Sequence, residues 1–268
     1  MFSCWQYDAI YLIFAGLLLV ATALLTRPGL HKSLDRPVER GFGPPCSLWQ
    51  AWKLFCSLFW ERMLLIGTLV SCAARLSFSN NWSLGDLWMV VAIVAIFPFQ
   101  EYLTHKYLLH RPPVVIFGYR WESVIALVHR VHHRDPWHME RAINPPIAVV
   151  LYAVGLPVIF FPFFEPARAL TGIAASWLVL LAYEWTHLLI HTSYAPNNWL
   201  FKRIWRNHRL HHFKNEHYWF NVSTYGVDSL LGTAPSPGGL PTSSTCLSLD
   251  PSEAFEHERS AHQSVSAN

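Results

Sequence analysis

Along the chain, long apolar runs alternate with polar segments that carry nearly all of the basic residues. Residues 8–26 are almost wholly apolar and long enough, at about 20 residues per bilayer crossing, for a transmembrane helix. No Lys or Arg precedes this run, so the charged start of a secretory signal peptide is missing and the run is expected to remain as an anchor. A Pro/Gly-rich break, Gly41-Phe-Gly-Pro-Pro45, follows. Next come Trp49, Trp52, Phe55, Phe59 and Trp60, whose helical spacing predicts an amphipathic helix in the headgroup layer. Further spans are predicted over 63–78, 87–109, 147–164 and 169–190; the tight turn at Glu165-Pro166 makes the last two antiparallel neighbours. Asn81-Trp-Ser83 matches a glycosylation sequon, in a loop short enough to lie against the membrane. Residues 233–268 are rich in Ser, Pro, Thr and Gly and read as a disordered tail.

Composition supports a membrane protein. Of 268 residues, 52% are hydrophobic and 14% charged, against about 25% charged in a soluble domain. A net charge of +3 is too small to argue for nucleic acid and no arginine-rich or recognition-helix pattern appears, so no nucleic-acid partner is expected. Cys4, Cys46, Cys56, Cys72 and Cys246 show no paired metal spacing and read as reduced and inert. Segments 27–62, 104–146 and 192–268 hold six basic residues each, leaving only Arg75 and Arg168 of the 20 elsewhere. Because cytoplasmic loops carry the excess of Lys and Arg, five spans put the N-terminus outside and the other three segments on the cytoplasmic face.

Those segments, with the cytoplasmic end of the last span, contain the candidate chemistry. Ten of fifteen histidines fall in four clusters: His105 and His110; His129, His132 and His133; His187 and His191; His208, His211 and His212. Positions i, i+3 and i+4 share a helix face, so each HX2HH is expected to present three imidazoles as one patch and the HX3H pair two. His105 and His110, roughly 140° apart around an α-helix, can share a ligand only where the helix is ending, and Pro112-Pro113 stops a helix there. Neutral imidazole suits zinc, copper, iron and nickel. A single zinc site takes four ligands or fewer from the protein, so ten histidines predict two metals with about five nitrogens each. His138 and His217 lie off this spacing; each is either an orienting partner for a ligand or packed beside Trp137 or Trp219. His257 and His262 have no patterned neighbours and read as solvated.

The ordered set HX4H, HX2HH, HX3H, HX2HH, with Glu101-Tyr before the first motif, Pro145-Pro146 after the second, Tyr183-Glu-Trp-Thr before the third and Ser223-Thr224 with Asp228 after the fourth, resembles the membrane fatty acid hydroxylase and sterol desaturase superfamily, within it the fatty acid 2-hydroxylases. The resemblance covers about 98–230. It implies an all-α membrane enzyme: a four-helix family core plus the N-terminal span, about five transmembrane helices, under a cytosolic histidine-rich cap. It also implies a di-iron centre, whose site zinc can occupy in isolated protein, using O2 and two electrons to hydroxylate a membrane lipid beside an acyl carboxyl or amide carbon. Carried over position by position, the ligands are His105, His110, His129, His132, His133, His187, His191, His208, His211 and His212. Some members carry a cytochrome b5 domain that has no counterpart here, so electrons are expected from a separate cytochrome b5 with its reductase, or a similar donor. The expected division is 1–90 as anchor and amphipathic region, 91–231 as the dimetal domain and 232–268 as tail. The expected location is the endoplasmic reticulum membrane in a eukaryote or the inner membrane in a bacterium.

An all-imidazole ligand set adds no negative charge and leaves a centre electrophilic enough for an unactivated C–H bond, so no catalytic residue beyond the ligands is expected. No Ser-His-Asp order, phosphate loop or HExxH is present. Glu101, Glu184 and Asp228 are candidates to hold imidazoles through their second nitrogens, or are simply helix-end charges. Two competing functions remain: a sterol or sphingoid-base desaturase or hydroxylase with the same centre, and a metal transporter. A transporter would place its ligands near the bilayer midplane, not at helix ends.

Overall fold

The structure is a computed structural model, and it describes residues 47–78, 81–139, 146–247 and 249. The run 8–26, the Gly41–Pro45 break, Cys4, Cys46, His257 and His262 lie outside the described residues.

The aromatic run does open a helix, α1 (Leu48–Ser57), started by a capping box in which Ser47 Oγ accepts from the Gln50 amide and Gln50 Oε1 accepts from the Ser47 amide. Ala51 and Phe55, four apart, are its buried face, while Trp49 and Trp52 stay largely exposed. The run is not one helix through Trp60, however. Leu58 is extended, and the chain bends by 91° there into α2 (Phe59–Leu76). The bend lets Phe55 set its ring edge-on against Trp185 while α2 runs antiparallel along α6 (Pro166–Ile190). Gly67 makes room for this packing: a Cβ there would lie 2.9 Å from the Trp177 ring.

α6 is the centre of the molecule. It packs against α2, against α3 (Leu84–Leu103) and against α5 (Pro146–Phe160), and touches α1 and α7 (Trp199–Phe213) near its C-terminal end. In its most apolar stretch 61% of residues are buried, against 11% in the span containing α3, so α3 turns its apolar surface outward, to lipid. Glu165 caps α6, accepting from the amides of Ala167 and Arg168, with Pro166 in the first turn. Phe55, Leu64, Leu156, Phe160, Ile173, Trp177 and Leu188 form the core.

Among the described residues, two helices are long and apolar enough to cross a membrane, Leu84–Leu109 and Pro166–Ile190, or three if the bent pair α1–α2 is one span. The expected span 147–164 is a shorter apolar helix that stops at Phe160; its 15 residues give about 22 Å at 1.5 Å per residue, short of a ~30 Å hydrocarbon core. The protein is mostly helical but not all-α. A hairpin of β1 (Val114–Ile116) and β2 (Tyr119–Trp121) separates α3 from α4 (Val124–Arg134).

The expected disordered tail also needs correction for residues 233–247 and 249. Ser243 bonds the Lys214 carbonyl through its amide at 2.9 Å and Glu216 Oε1 through its hydroxyl at 2.9 Å, and Cys246 and Leu249 are buried. Composition misses this because polar side chains and backbone groups hold most of the segment, with few large apolar residues to signal it.

One polar network closes the end of the bundle away from the histidines. Arg75 reaches Asp86 at 3.2 Å, Thr171 at 2.5 Å and the carbonyls of Phe78 and Asn81, with Trp82 stacked 3.6 Å from its guanidinium. It ties the last turn of α2 to the first turn of α3 and the second turn of α6. Replacing Arg75→Met strands a buried carboxylate and should cost about 3–5 kcal/mol, read as a lowered thermal midpoint in detergent; Arg75→Met/Asp86→Asn should recover much of it, and equal midpoints for wild type and single variant would contradict the assignment.

Candidate metal centre

The first histidine pair is aligned by a change of helix type. After Leu103 the α-helix widens into a π-helix, Thr104–Leu109, in which the His110 amide bonds the His105 carbonyl at 3.2 Å. An i to i+5 ladder puts residues five apart on the same face, so the rings of His105 and His110 meet at 4.9 Å between centroids. The helix does end there, as Pro112-Pro113 suggests, but widening is what aligns the pair.

The two HX2HH motifs behave differently from one patch each. Residues i and i+4 are about 40° apart on a helix, whereas i+3 is about 100° from i+4. On α4, His129 and His133 therefore face one way and His132 another. On α7, His208 and His212 pair while His211 diverges. The histidines assemble into two groups of five, the nitrogens within each lying within 4.8 Å of one another: His105, His110, His129, His133 and His211; and His132, His187, His191, His208 and His212. Each group takes two adjacent-turn pairs plus one singleton from a helix whose pair serves the other group. All ten expected residues are brought together, nine of them buried. The rings of His133 and His212 stack at 4.0 Å where the groups meet.

Backbone carbonyls orient three imidazoles of the first group. His105 Nδ1 donates to the Phe220 carbonyl, His211 Nδ1 to Tyr218 at 2.7 Å and His133 Nδ1 to Cys246 at 2.8 Å. A neutral imidazole carries one N–H, so these three turn bare Nε2 lone pairs inward. His105 Nε2 and His133 Nε2 both face His129 Nε2, at 3.0 and 3.2 Å, and His129 has at most one proton there to share. Two nitrogens each bonded to one ion at ~2.1 Å also lie about 3 Å apart. In the second group, both nitrogens of His132 and His191, Nε2 of His187, and Nδ1 of His208 and His212 are buried without a hydrogen-bond partner. At about 1–3 kcal/mol per unmet buried group, these cost on the order of 10 kcal/mol, comparable to the whole stability of a folded domain. A metal ion takes one nitrogen from each ring, and so removes most of that cost in the second group. The residues fit a pair of ions with imidazole ligands.

Burial keeps these rings unprotonated, as ligands must be. It holds His129, His132, His191, His208, His211 and His212 well below the usual imidazole range and His133 at about 3, with neighbouring imidazoles pushing the first six the same way.

The expected carboxylates act one step further out. Glu101 accepts from the amides of Val222 and Ser223 and from the Ser223 hydroxyl. Asp228 accepts from the amides of Phe220 and Asn221 and from Thr233 Oγ1. They fix the loop whose Phe220 carbonyl holds His105, rather than an imidazole directly. Glu184 is buried on α6, three residues before His187. His138 and His217 join neither group; the His217 side chain is 71% exposed, 3.5 Å from Glu216.

Two positioning residues went unnoticed in the sequence. Arg130 donates to the Leu249 carbonyl and pairs with Glu122. Arg209 donates to the carbonyls of Ile190 and Thr192 at 3.0 and 2.6 Å, capping the end of α6 that carries His187 and His191. The available signal was repetition: both HX2HH motifs read His-Arg-X-His-His. An apolar groove of about 420 Å³, lined by Cys72, Val90, Val94, Ala174 and Leu178 among others, opens beside Arg75 and Thr171, at the end of α6 away from the histidines.

Comparison with known proteins gives a consistent picture. A family model described as fatty acid hydroxylase matches residues 90–233. The dihydroceramide fatty acyl 2-hydroxylase FAH1 of Arabidopsis thaliana is 25% identical over 221 residues, covering 76% of this chain and 88% of the relative. The ceramide very long chain fatty acid hydroxylase SCS7 of Saccharomyces cerevisiae is 26% identical over 149 residues, 54% of this chain and 37% of the relative. Among solved structures, full-length Scs7p, of which only the hydroxylase domain is visible, matches with a TM-score of 0.58 at 20% identity, covering 81% of this chain and 86% of that one. At that identity the likeness is one of fold.

Elemental analysis of the purified chain should find two ions; His129→Ala and His212→Ala should each lose about one, and a wild-type content of one ion or none would contradict two groups. The metal-free protein should also be acid-sensitive. Its imidazoles stay neutral when folded but take protons near pH 6.5 when unfolded, so their contribution is complete above that pH and is lost as pH falls below it. Chemical denaturation of metal-free protein from pH 7.5 to 5 should show this decline, and a flat profile would contradict it.

Proposed function

The chain belongs to the fatty acid hydroxylase family, and on that premise we propose that it hydroxylates a fatty acyl chain of a membrane lipid, a sphingolipid acyl chain in particular, at the carbon next to the carbonyl. The observation that carries the reading is the assembly of ten histidines into two five-imidazole groups at the ends of apolar helices. The relatives named for acting on dihydroceramide and ceramide acyl chains support the substrate class.

The ten histidines would hold two ions, iron in this reading, five to each. Two iron ions bound there supply the O2-dependent, two-electron chemistry that an unactivated C–H bond requires. The balance is one C–H, one O2, two electrons and two protons giving one C–OH and one water; the electrons come from a separate cytochrome b5 or similar one-electron donor. The protein's own contribution is orientation and exclusion. The carbonyls of Phe220, Tyr218 and Cys246 fix three imidazoles with their lone pairs inward, and Glu101 and Asp228 keep the loop bearing the first two rigid. Burial of the rings keeps water and protons from competing for the ligand nitrogens.

The same reading assigns the histidine face and the C-terminus to the cytoplasm. Support comes from the basic residues concentrated in 27–62, 104–146 and 192–268, and from His105, His110, His187 and His191 standing at the C-terminal ends of α3 and α6. With 8–26 as a further span, residues 1–90 anchor and flank the dimetal domain, which begins near 91. The membrane is the endoplasmic reticulum in a eukaryote or the inner membrane in a bacterium.

Lipid mass spectrometry of cells expressing wild type beside His132→Ala, with a cytochrome b5 reductase system supplied, tests the reading. The wild type should add one oxygen at C2 of acyl chains and the variant none. Loss of two hydrogens from a sterol, with acyl chains unchanged, would contradict it.

A further inference from the structure

The β1–β2 hairpin belongs neither to the bundle nor to the metal groups. Its register, Val114 with Trp121, Val115 with Arg120 and Ile116 with Tyr119, leaves Phe117-Gly118 as a two-residue loop. Both loop residues have positive φ, +52° and +78°, as the type I′ hairpin turn requires. The first loop position of that turn favours Asn, Asp or Gly, because the left-handed region crowds a Cβ. Here it holds Phe, strained in its backbone and 96% exposed, so its ring packs on nothing among the described residues. Val115 is 72% and Tyr119 65% exposed, and Val114 and Ile116 are also open. Strand residues alternate between faces, so Val114, Ile116 and Tyr119 share one exposed apolar face, and Val115 stands exposed on the other, cross-strand from Arg120. A two-stranded hairpin of that kind is marginal in water.

We propose that this hairpin is a membrane finger, with Val115, Ile116 and Phe117 seated in the boundary between headgroups and acyl chains of the bilayer that α3 enters. Continuity with the span favours lipid over a protein partner. The exposed Tyr107 and Leu108 end the apolar span, the exposed Arg111 follows at headgroup level, and β1 begins three residues later. Apolar and aromatic residues beside a cation make the pattern of an interfacial anchor. The strained Phe is then retained because its ring is covered by lipid. The finger joins His110 to the helix bearing His129, His132 and His133, and so sets the level of both metal groups relative to the bilayer surface. This inference needs only the membrane spans, not the hydroxylase reading.

The test uses the full chain in phosphatidylcholine nanodiscs containing a phosphatidylcholine with a diazirine high on its acyl chain, with photo-adducts mapped by peptide mass spectrometry. Wild type should carry lipid adducts within 114–119 as well as at Tyr107 and Leu108. Phe117→Asn installs the Asn-Gly pair the turn prefers, so it should keep the thermal midpoint and the labelling at Tyr107 and Leu108 while losing most hairpin adducts. An unlabelled hairpin beside a labelled α3 overturns the proposal, as do hairpin crosslinks between copies in place of lipid adducts.

Discussion

Imidazoles in a buried cluster cannot satisfy one another. A neutral ring has one N–H and one lone pair, and where backbone carbonyls take the N–H of His105, His133 and His211, the inward side becomes a convergence of lone pairs. A cation resolves that conflict, and two are needed because the nitrogens converge in two places. The placement of α3, α4, α6 and α7, and of the irregular segments between them, follows from delivering ten rings to those two points without letting any of them protonate.

Helix geometry accounts for the way the rings are shared. Pairs on adjacent turns come from i and i+4 on α4, α6 and α7, and from the π-turn on α3. The leftover i+3 residues, His132 and His211, lie round the side of their helices and cross to the opposite group. The two ions would therefore be held by the same pair of helices, α4 and α7, from both sides. A distortion of either helix disturbs both groups, which explains why each carries an anchoring Arg beside its first histidine: Arg130 on the Leu249 carbonyl and Glu122, Arg209 on the last carbonyls of α6.

Much of this was legible in the sequence because it depends on period and count. The four motifs, their helix-end positions, the stop at Pro112-Pro113 and the division of ten nitrogens into two fives follow from spacing and coordination number alone. What was not legible depends on backbone conformation. A π-turn leaves no spacing signature beyond the awkward five-residue interval between His105 and His110. The carbonyls of Tyr218, Phe220 and Cys246 have no side-chain identity at all, so the segment carrying Cys246 read as disorder and Glu101 and Asp228 were matched to imidazoles rather than to the loop they hold. The hairpin was missed because two three-residue strands fall below any alternation signal, and because Phe stands at a turn position where Asn or Gly would have announced it.

Two ions in two distinct imidazole groups, interlocked through α4 and α7, are what the site is built to hold. Anomalous-scattering maps from crystals of the iron-loaded full chain test this directly, since they locate ions independently of the protein trace. Two iron peaks are expected, one among His105, His110, His129, His133 and His211 and the other among His132, His187, His191, His208 and His212. A single peak, or a peak whose ligands come from one HX2HH motif alone, would contradict it.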